Sequence, residues 1–169
     1  MVVGLDISLR STGVAWIRDG SVSTWTIKSK VPLSVNAVAK QIMSQLSPIF
    51  LGETTVFIED YAFGKFGKSS SVSSLIELTG IIQYELYQAE VPYYKLAPTL
   101  VKKFLSGKGV LPKDQIPLLI FKKFNLTPDT VDACDALAVA DLGYACLNKT
   151  GFNRELTKAE LSCIKNLTS

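Results

Sequence analysis

A mixed α/β sheet with helices packed against it is the fold class the sequence predicts, and three observations carry it. The opening segments VVGLD, TGVAWIR and SVSTWTIK alternate in strand fashion, and Arg18-Asp19-Gly20 joins the last two through an Asp-Gly hairpin signal. Two further short apolar segments, TTVFIE and VPYYKL, lie between stretches of helical character. Over residues 72–89, Leu75, Leu78, Ile82 and Leu86 fall on one face of a long helix.

The remaining elements follow in order. Ser34 caps a helix to about Leu46. TTVFIE is a strand ending at Glu59, and DYAFGKFGKSSS is a glycine-bearing loop before the long helix. VPYYKL is the next strand, and Pro98, at a first helical position, opens a helix through about Leu105. SGKGVLP is a loop, followed by a helix to about Phe124 that tolerates Pro117 only within its first turn. Thr127-Pro128-Asp129 starts the helix VDACDALAVADLGYACL, and TKAE at 157–160 is a capping box for a small C-terminal helix. The order up to that last helix is β-β-β-α-β-α-β-α-α-α, with three antiparallel N-terminal strands and two parallel ones. Nothing in it resembles a doubly wound nucleotide-binding fold.

With 169 residues the chain suits one domain, its body at 1–150 and a C-terminal helical tail of the same domain at 151–169. No run approaches the roughly 18 to 20 apolar residues of a membrane span, so no membrane partner is expected. Met1 leads straight into VVGLD without a basic region or an apolar leader, so the expected location is cytoplasmic.

Cys134, Cys146 and Cys163 form no CxxC pair, and the chain has no histidine, which argues against structural zinc. The missing histidine also excludes Ser-His-Asp and Cys-His catalysis and any imidazole base. Carboxylates, lysines and metals remain as catalytic chemistry. The net charge of +3 is unevenly spread: lysines 95, 102, 103, 108, 113, 122 and 123 stand against Asp114 alone, which makes one face basic.

Asp132 and Asp135 lie three residues apart on an otherwise apolar helix, so they project from one face. Taken alone, they read as a first-turn acid favoured by the helix dipole with a solvated neighbour. Asp6 and Glu59, each ending an apolar strand, alter that reading. Four hard oxygen ligands from three separated segments suit Mg²⁺ or Mn²⁺, and mutual repulsion calls for two ions about 4 Å apart, a pairing used for in-line phosphodiester displacement. Asp141 lies about 180° around from Asp132 and is expected to be an exposed or capping aspartate.

The motifs GLDISLRSTGVAW, VFIEDYAFGK, VKKFLSGKGVLPK and DACDALAVA, in this order over roughly residues 2–147, are similar to those of RuvC-family Holliday junction resolvases, of the bacteriophage type seen in lactococcal phages. The resemblance implies an RNase H-like fold and a homodimer. It also implies two metal-dependent nicks in a four-way DNA junction that leave 5′-phosphate and 3′-hydroxyl ends. A phage-encoded chain would act in the cytoplasm of its bacterial host. Cellular members usually have Pro-Gly after the first aspartate, where this chain has Ile7-Ser8. That marks a diverged lineage to which neither the nicking-sequence preference nor the branch-migration helicase partner is carried over.

DNA contacts are expected from two segments. In YAFGKFGKSS, Tyr61, Phe63 and Phe66 interleave with Lys65 and Lys68, and Gly64 and Gly67 let the loop move. This suits an aromatic wedge at a branch point with lysines on phosphates, Phe63 being favoured; the plain alternative is aromatics pinning a loop to the core. Lys102, Lys103, Lys108 and Lys113 surround an interhelical loop, where lysines are ordinarily just solvated. Their density and the match of Lys102 and Lys113 to basic family positions favour phosphate binding. Lys113 could also stabilise transition-state charge. Lys122 and Lys123 read as ordinary helix surface, and Arg10 as a weaker DNA candidate.

Ser8, Ser11 and Thr12 lack the glycine spacing and lysine of a phosphate loop. The opening hairpin also resembles that of actin-like sugar kinases, but the chain lacks their second lobe and glycine-rich adenosine motifs. The expected activity is thus a Mg²⁺-dependent endonuclease acting on four-way junctions and other branched DNA such as forks and flaps. An RNA-DNA hybrid nuclease and a non-catalytic junction binder are the alternatives. For a homodimer, the helix from about Val72 to Ala89 is the candidate interface, unless it packs only within its own subunit.

Overall fold

The computed structural model describes residues 1–29, 34–50, 52–60 and 70–165, Ser70 by its backbone alone. Five strands, β1 (Val2–Asp6), β2 (Ser11–Arg18), β3 (Ser21–Lys28), β4 (Thr55–Glu59) and β5 (Tyr93–Leu96), form one sheet in the order β3-β2-β1-β4-β5. β1, β2 and β3 pair antiparallel, while β4 joins β1 in parallel and β5 joins β4 in parallel. The β2–β3 turn takes positive φ at Asp19 (48°) and Gly20 (76°), as a two-residue hairpin with Asp-Gly requires.

Among the described residues six α-helices complete the fold: α1 (Val35–Leu46), α2 (Ser70–Gln88), α3 (Pro98–Ser106), α4 (Ile116–Phe124), α5 (Val131–Asn148) and α6 (Lys158–Lys165). Ser34 caps α1 by accepting from Ala37 N, and Pro98 and Pro117 sit in the first turns of α3 and α4. In the expected capping box, Thr157 N donates to Glu160 Oε2 and Glu160 N to Thr157 Oγ1. The cap of α5 is Thr130, just past the Thr127–Asp129 stretch expected to start it. A residue with extended backbone and a hydroxyl aimed at Ala133 N serves there better than one bound into the preceding turn. Among the described residues no helix is long and apolar enough to cross a membrane.

Alternation along the strands sends side chains to two cores. Val3, Leu5, Val14, Val56 and Ile58 pack with Ile42 and Leu46 of α1 and Leu78, Ile82 and Leu86 of α2. Ala15 and Phe57 pack on the opposite face with α5, joined by residues of α3, α4 and α6. On that face two strand positions lack side chains. A Cβ on Gly4 would lie 2.3 Å from Ala136 O, and one on Gly13 would lie 1.9 Å from Asp132 O. These bare positions let α5 lie directly on β1 and β2.

Two sequence expectations fail at the far end of α5. Asp141 is fully buried, not exposed, and Lys123 is largely buried, not ordinary surface. Lys123 Nζ donates to Asp141 Oδ2 (3.3 Å), Glu160 Oε1 (2.6 Å) and Phe104 O (3.2 Å). Arg154 donates to Asp141 Oδ2 (3.2 Å) and to both Glu160 oxygens (2.9 and 3.0 Å). Two cations and two anions thus tie α4, α5 and α6 together. The physical reason for the miss is that α5 is covered on nearly every side, so a position opposite Asp132 meets other helices, not water. Lys122 is exposed as expected.

Candidate active site

Asp6 and Glu59 end the neighbouring parallel strands β1 and β4, each following directly on the Leu5–Ile58 pair. Strand parity puts both on the α5 face: Asp6 follows Gly4 by two, and Glu59 follows Phe57 by two. Asp6 pairs with Gly13, and Gly13 with Thr26, which sets a row across β1, β2 and β3 beneath the start of α5. Thr26 Oγ1 hydrogen-bonds Thr130 Oγ1 at 2.5 Å, and Thr130 in turn accepts from Ala133 N at 3.1 Å. The first turns of α5 are thereby fixed over the strand ends, and they bring Asp132 and Asp135 to Asp6 and Glu59.

Electrostatics show how closely the four acids share one environment. Burial, followed by the charges of Glu59, Asp135 and Asp132, pushes the Asp6 carboxyl up to about 8, against a smaller opposing pull from Lys113. Glu59 is pushed up to about 7 by burial and by Asp135, with Lys102 and Lys113 opposing. Asp135 is also raised, by burial first, with Lys113 opposing, Asp132 adding and Lys102 opposing. Beyond burial, the charges of Glu59, Asp132 and Asp135 disfavour ionisation of the acids beside them, and the lysines offset this only in part.

Among the described residues, no three acidic or thiol side chains close into a ready-made metal cage. Mg²⁺ keeps several waters and takes one or two carboxylates together with substrate phosphate oxygens, so it does not require three protein ligands already gathered. The donor set of hard oxygens, with neither histidine nor thiolate among the four, fits that ion or Mn²⁺.

Lys102 on α3 and Lys113, just before α4, are the lysines whose charges act on the acids. Lys103 is half-buried in the last turn of α3, and Lys108 is exposed on the loop that follows. Arg10 is exposed in the β1–β2 turn. Phe63, Lys65 and Lys68 lie outside the described residues. Ser11, which the sequence offers only as part of a rejected phosphate loop, donates from Oγ to Asp132 Oδ2 at 2.5 Å, and the Thr26–Thr130 pair leaves no sequence signal. Ser11 and Asp132 are 121 residues apart, so only the folded chain reveals the contact.

The mixed five-stranded sheet flanked by helices is an RNase H-like fold, with acids at its strand ends and at the start of α5. The chain belongs to the RuvC family: the family model described as crossover junction endodeoxyribonuclease RuvC matches residues 2–142. A relative of that name from Rhodopirellula baltica is 28% identical over 155 residues, covering 87% of this chain and 87% of its own. Another, from Carboxydothermus hydrogenoformans, is 27% identical over 151 residues, covering 85% and 94%. Thermus thermophilus RuvC in complex with Holliday junction substrate has the same fold, with a TM-score of 0.69 and 19% identity over 87% of this chain and 95% of its own.

Proposed function

We propose that the chain is a Mg²⁺-dependent, structure-selective endonuclease that resolves four-way DNA junctions, with forks and flaps as further branched substrates. The observation that carries this reading is the convergence of Asp6, Glu59, Asp132 and Asp135 in a RuvC-family chain, with Lys102 and Lys113 acting on the same cluster. Raised proton affinity at Asp6 and Glu59 means that the site gains from any added positive charge. Two divalent ions held by the four acids would stabilise the attacking and leaving oxygens of an in-line displacement.

The chain's own groups have separate tasks. The acids would hold the ions; Lys102 and Lys113 seat the phosphate and limit the net negative charge it meets. Lys113, whose charge reaches Asp6, Glu59 and Asp135, is placed to stabilise charge that builds on the phosphate. A water oxygen bonds to phosphorus as the bond to O3′ breaks, and a proton lost by that water balances the one the 3′ oxygen gains. The ends left are a 5′-phosphate and a 3′-hydroxyl. Lys103 and Lys108 extend the basic surface along the flanking backbone, and Phe63, Lys65 and Lys68 are assigned to the branch point by the interleaving of aromatics and lysines in their segment, Phe63 also by the family resemblance. The bacteriophage type is carried by the resemblance of the motifs, and Ile7-Ser8 in place of Pro-Gly marks the lineage as diverged.

Paired cuts in a two-fold symmetric junction call for two sites, and the reading includes a homodimer through α2. Ile76, Gly80, Tyr84 and Tyr87 recur at helical spacing and are exposed, with Tyr84 at 60% and Tyr87 at 71%. A Cβ on Gly80 would meet nothing within 4 Å in the monomer. Glycine in mid-helix costs about 1 kcal/mol relative to alanine, and close approach of a second α2 at Gly80 accounts for it.

A panel of static four-way junction, fork, flap, linear duplex and RNA-DNA hybrid, incubated with Mg²⁺, tests the reading. The expected result is symmetric nicks in two opposed strands of the junction. Preferential cutting of the hybrid would make the chain an RNase H instead, and junction binding without metal-dependent nicking would make it a non-catalytic binder.

A further inference from the structure

Ser11 begins β2, and its Oγ donates to Asp132 Oδ2 at 2.5 Å. Both ends of this contact are fixed by other bonds. On the strand side, buried Thr12 closes the turn after Asp6: its Oγ1 accepts from Ser8 N (3.1 Å) and donates to Ser8 O (2.9 Å). On the helix side, the backbone of Asp132 is set by the Thr130 cap, by the Thr26–Thr130 bond and by contact with Gly13. Between two fixed backbones, one charge-assisted hydrogen bond selects the orientation of the carboxylate. It engages Oδ2, and no hydrogen bond among the described residues engages Oδ1.

We infer that Ser11 is a positioning residue for the metal centre, its hydroxyl orienting the Asp132 carboxylate for a divalent ion. The inference rests on the metal-dependent reading above. Partners of this kind orient metal ligands, and their loss typically weakens metal affinity by about 10–100-fold. Ser11 touches neither phosphate nor ion in this role and acts only through Asp132.

The test pairs Ser11→Val with Ser11→Thr, two side chains of similar shape of which only threonine keeps the hydroxyl. Mn²⁺ alone is titrated into wild type and both variants without DNA, and the loss of the free-ion electron paramagnetic resonance signal is followed. Thermal unfolding and junction affinity in metal-free buffer are measured beside it. Ser11→Val should weaken Mn²⁺ binding by about 10–100-fold and raise the Mn²⁺ needed for half-maximal junction nicking by a similar factor. Ser11→Thr should recover both, and metal-free junction affinity should stay at the wild-type value. Mn²⁺ affinity in Ser11→Val equal to wild type would overturn the role, as would failure of both variants alike. Wild type that binds no Mn²⁺ would instead overturn the metal-dependent reading, and the inference with it.

Discussion

One helix joins two charge clusters of opposite character. At the start of α5, four carboxylates crowd together with Lys102 and Lys113 as the cations that oppose them, and Asp6, Glu59 and Asp135 all hold their protons more tightly than usual. Further along α5, Asp141 and Glu160 are met by Lys123 and Arg154 at 2.6–3.3 Å. There burial would raise Glu160, but hydrogen bonds from Arg154, Lys123 and Thr157 outweigh it and hold the carboxyl down to about 2. Asp141, with the deepest burial, is still raised. The second cluster is balanced within the chain and fastens α4, α5 and α6. The first is left short of positive charge, which is what a site for cations and a phosphate backbone requires.

The sharpest contrast comes from removing one charge at each end. Asp6→Asn should lower junction cleavage by on the order of 10³-fold or more, as a nicking assay would read. The same change removes a carboxyl whose ionised form is disfavoured first by burial and then by the neighbouring acids, so the metal-free protein should be more stable toward thermal unfolding, by about 1 kcal/mol. At the other end the sign reverses. Lys123→Met strands Asp141 and Glu160 without one of their two cations and should destabilise the fold by about 3–5 kcal/mol in urea unfolding. If Asp6→Asn destabilised the protein and Lys123→Met did not, the assignment of the two clusters would be interchanged.

pH sharpens the comparison further. Glu160 is depressed from 4.5 to about 2, so its contribution is fully present above about 4.5 and is lost as pH falls from there toward 2. That contribution is at most about 3 kcal/mol. Glu160→Gln should therefore lose stability relative to wild type at pH 7 and converge on it near pH 2, measured as urea midpoints across that window. The smallest effect lies away from both clusters. Gly80→Ala should raise monomer stability by up to about 1 kcal/mol while weakening self-association, which sedimentation at graded concentrations would detect.

Local signals made much of this architecture legible. The Asp-Gly hairpin, the Ser34 cap, the early prolines of α3 and α4 and the capping box at Thr157 each depend on residues a few positions apart. The four acids stood out for a related reason: Asp6 and Glu59 stand where apolar runs stop, and Asp132 and Asp135 interrupt one. The balanced cluster was not, because helical angle separates faces only when one face meets water, and α5 is buried almost all round. Pairing Lys123 with Asp141 and Glu160 requires the packing of three helices, over separations of 18 and 37 residues. The Ser11–Asp132 bond spans the chain and leaves no periodic trace.

The most direct measurement is strand mapping on a static four-way junction, wild type beside Asp135→Asn, across a Mg²⁺ titration. Wild type should cut two opposed strands symmetrically as Mg²⁺ rises, and Asp135→Asn should bind the junction but leave it uncut at every concentration. Nicking by Asp135→Asn at the wild-type rate would contradict the four-carboxylate site.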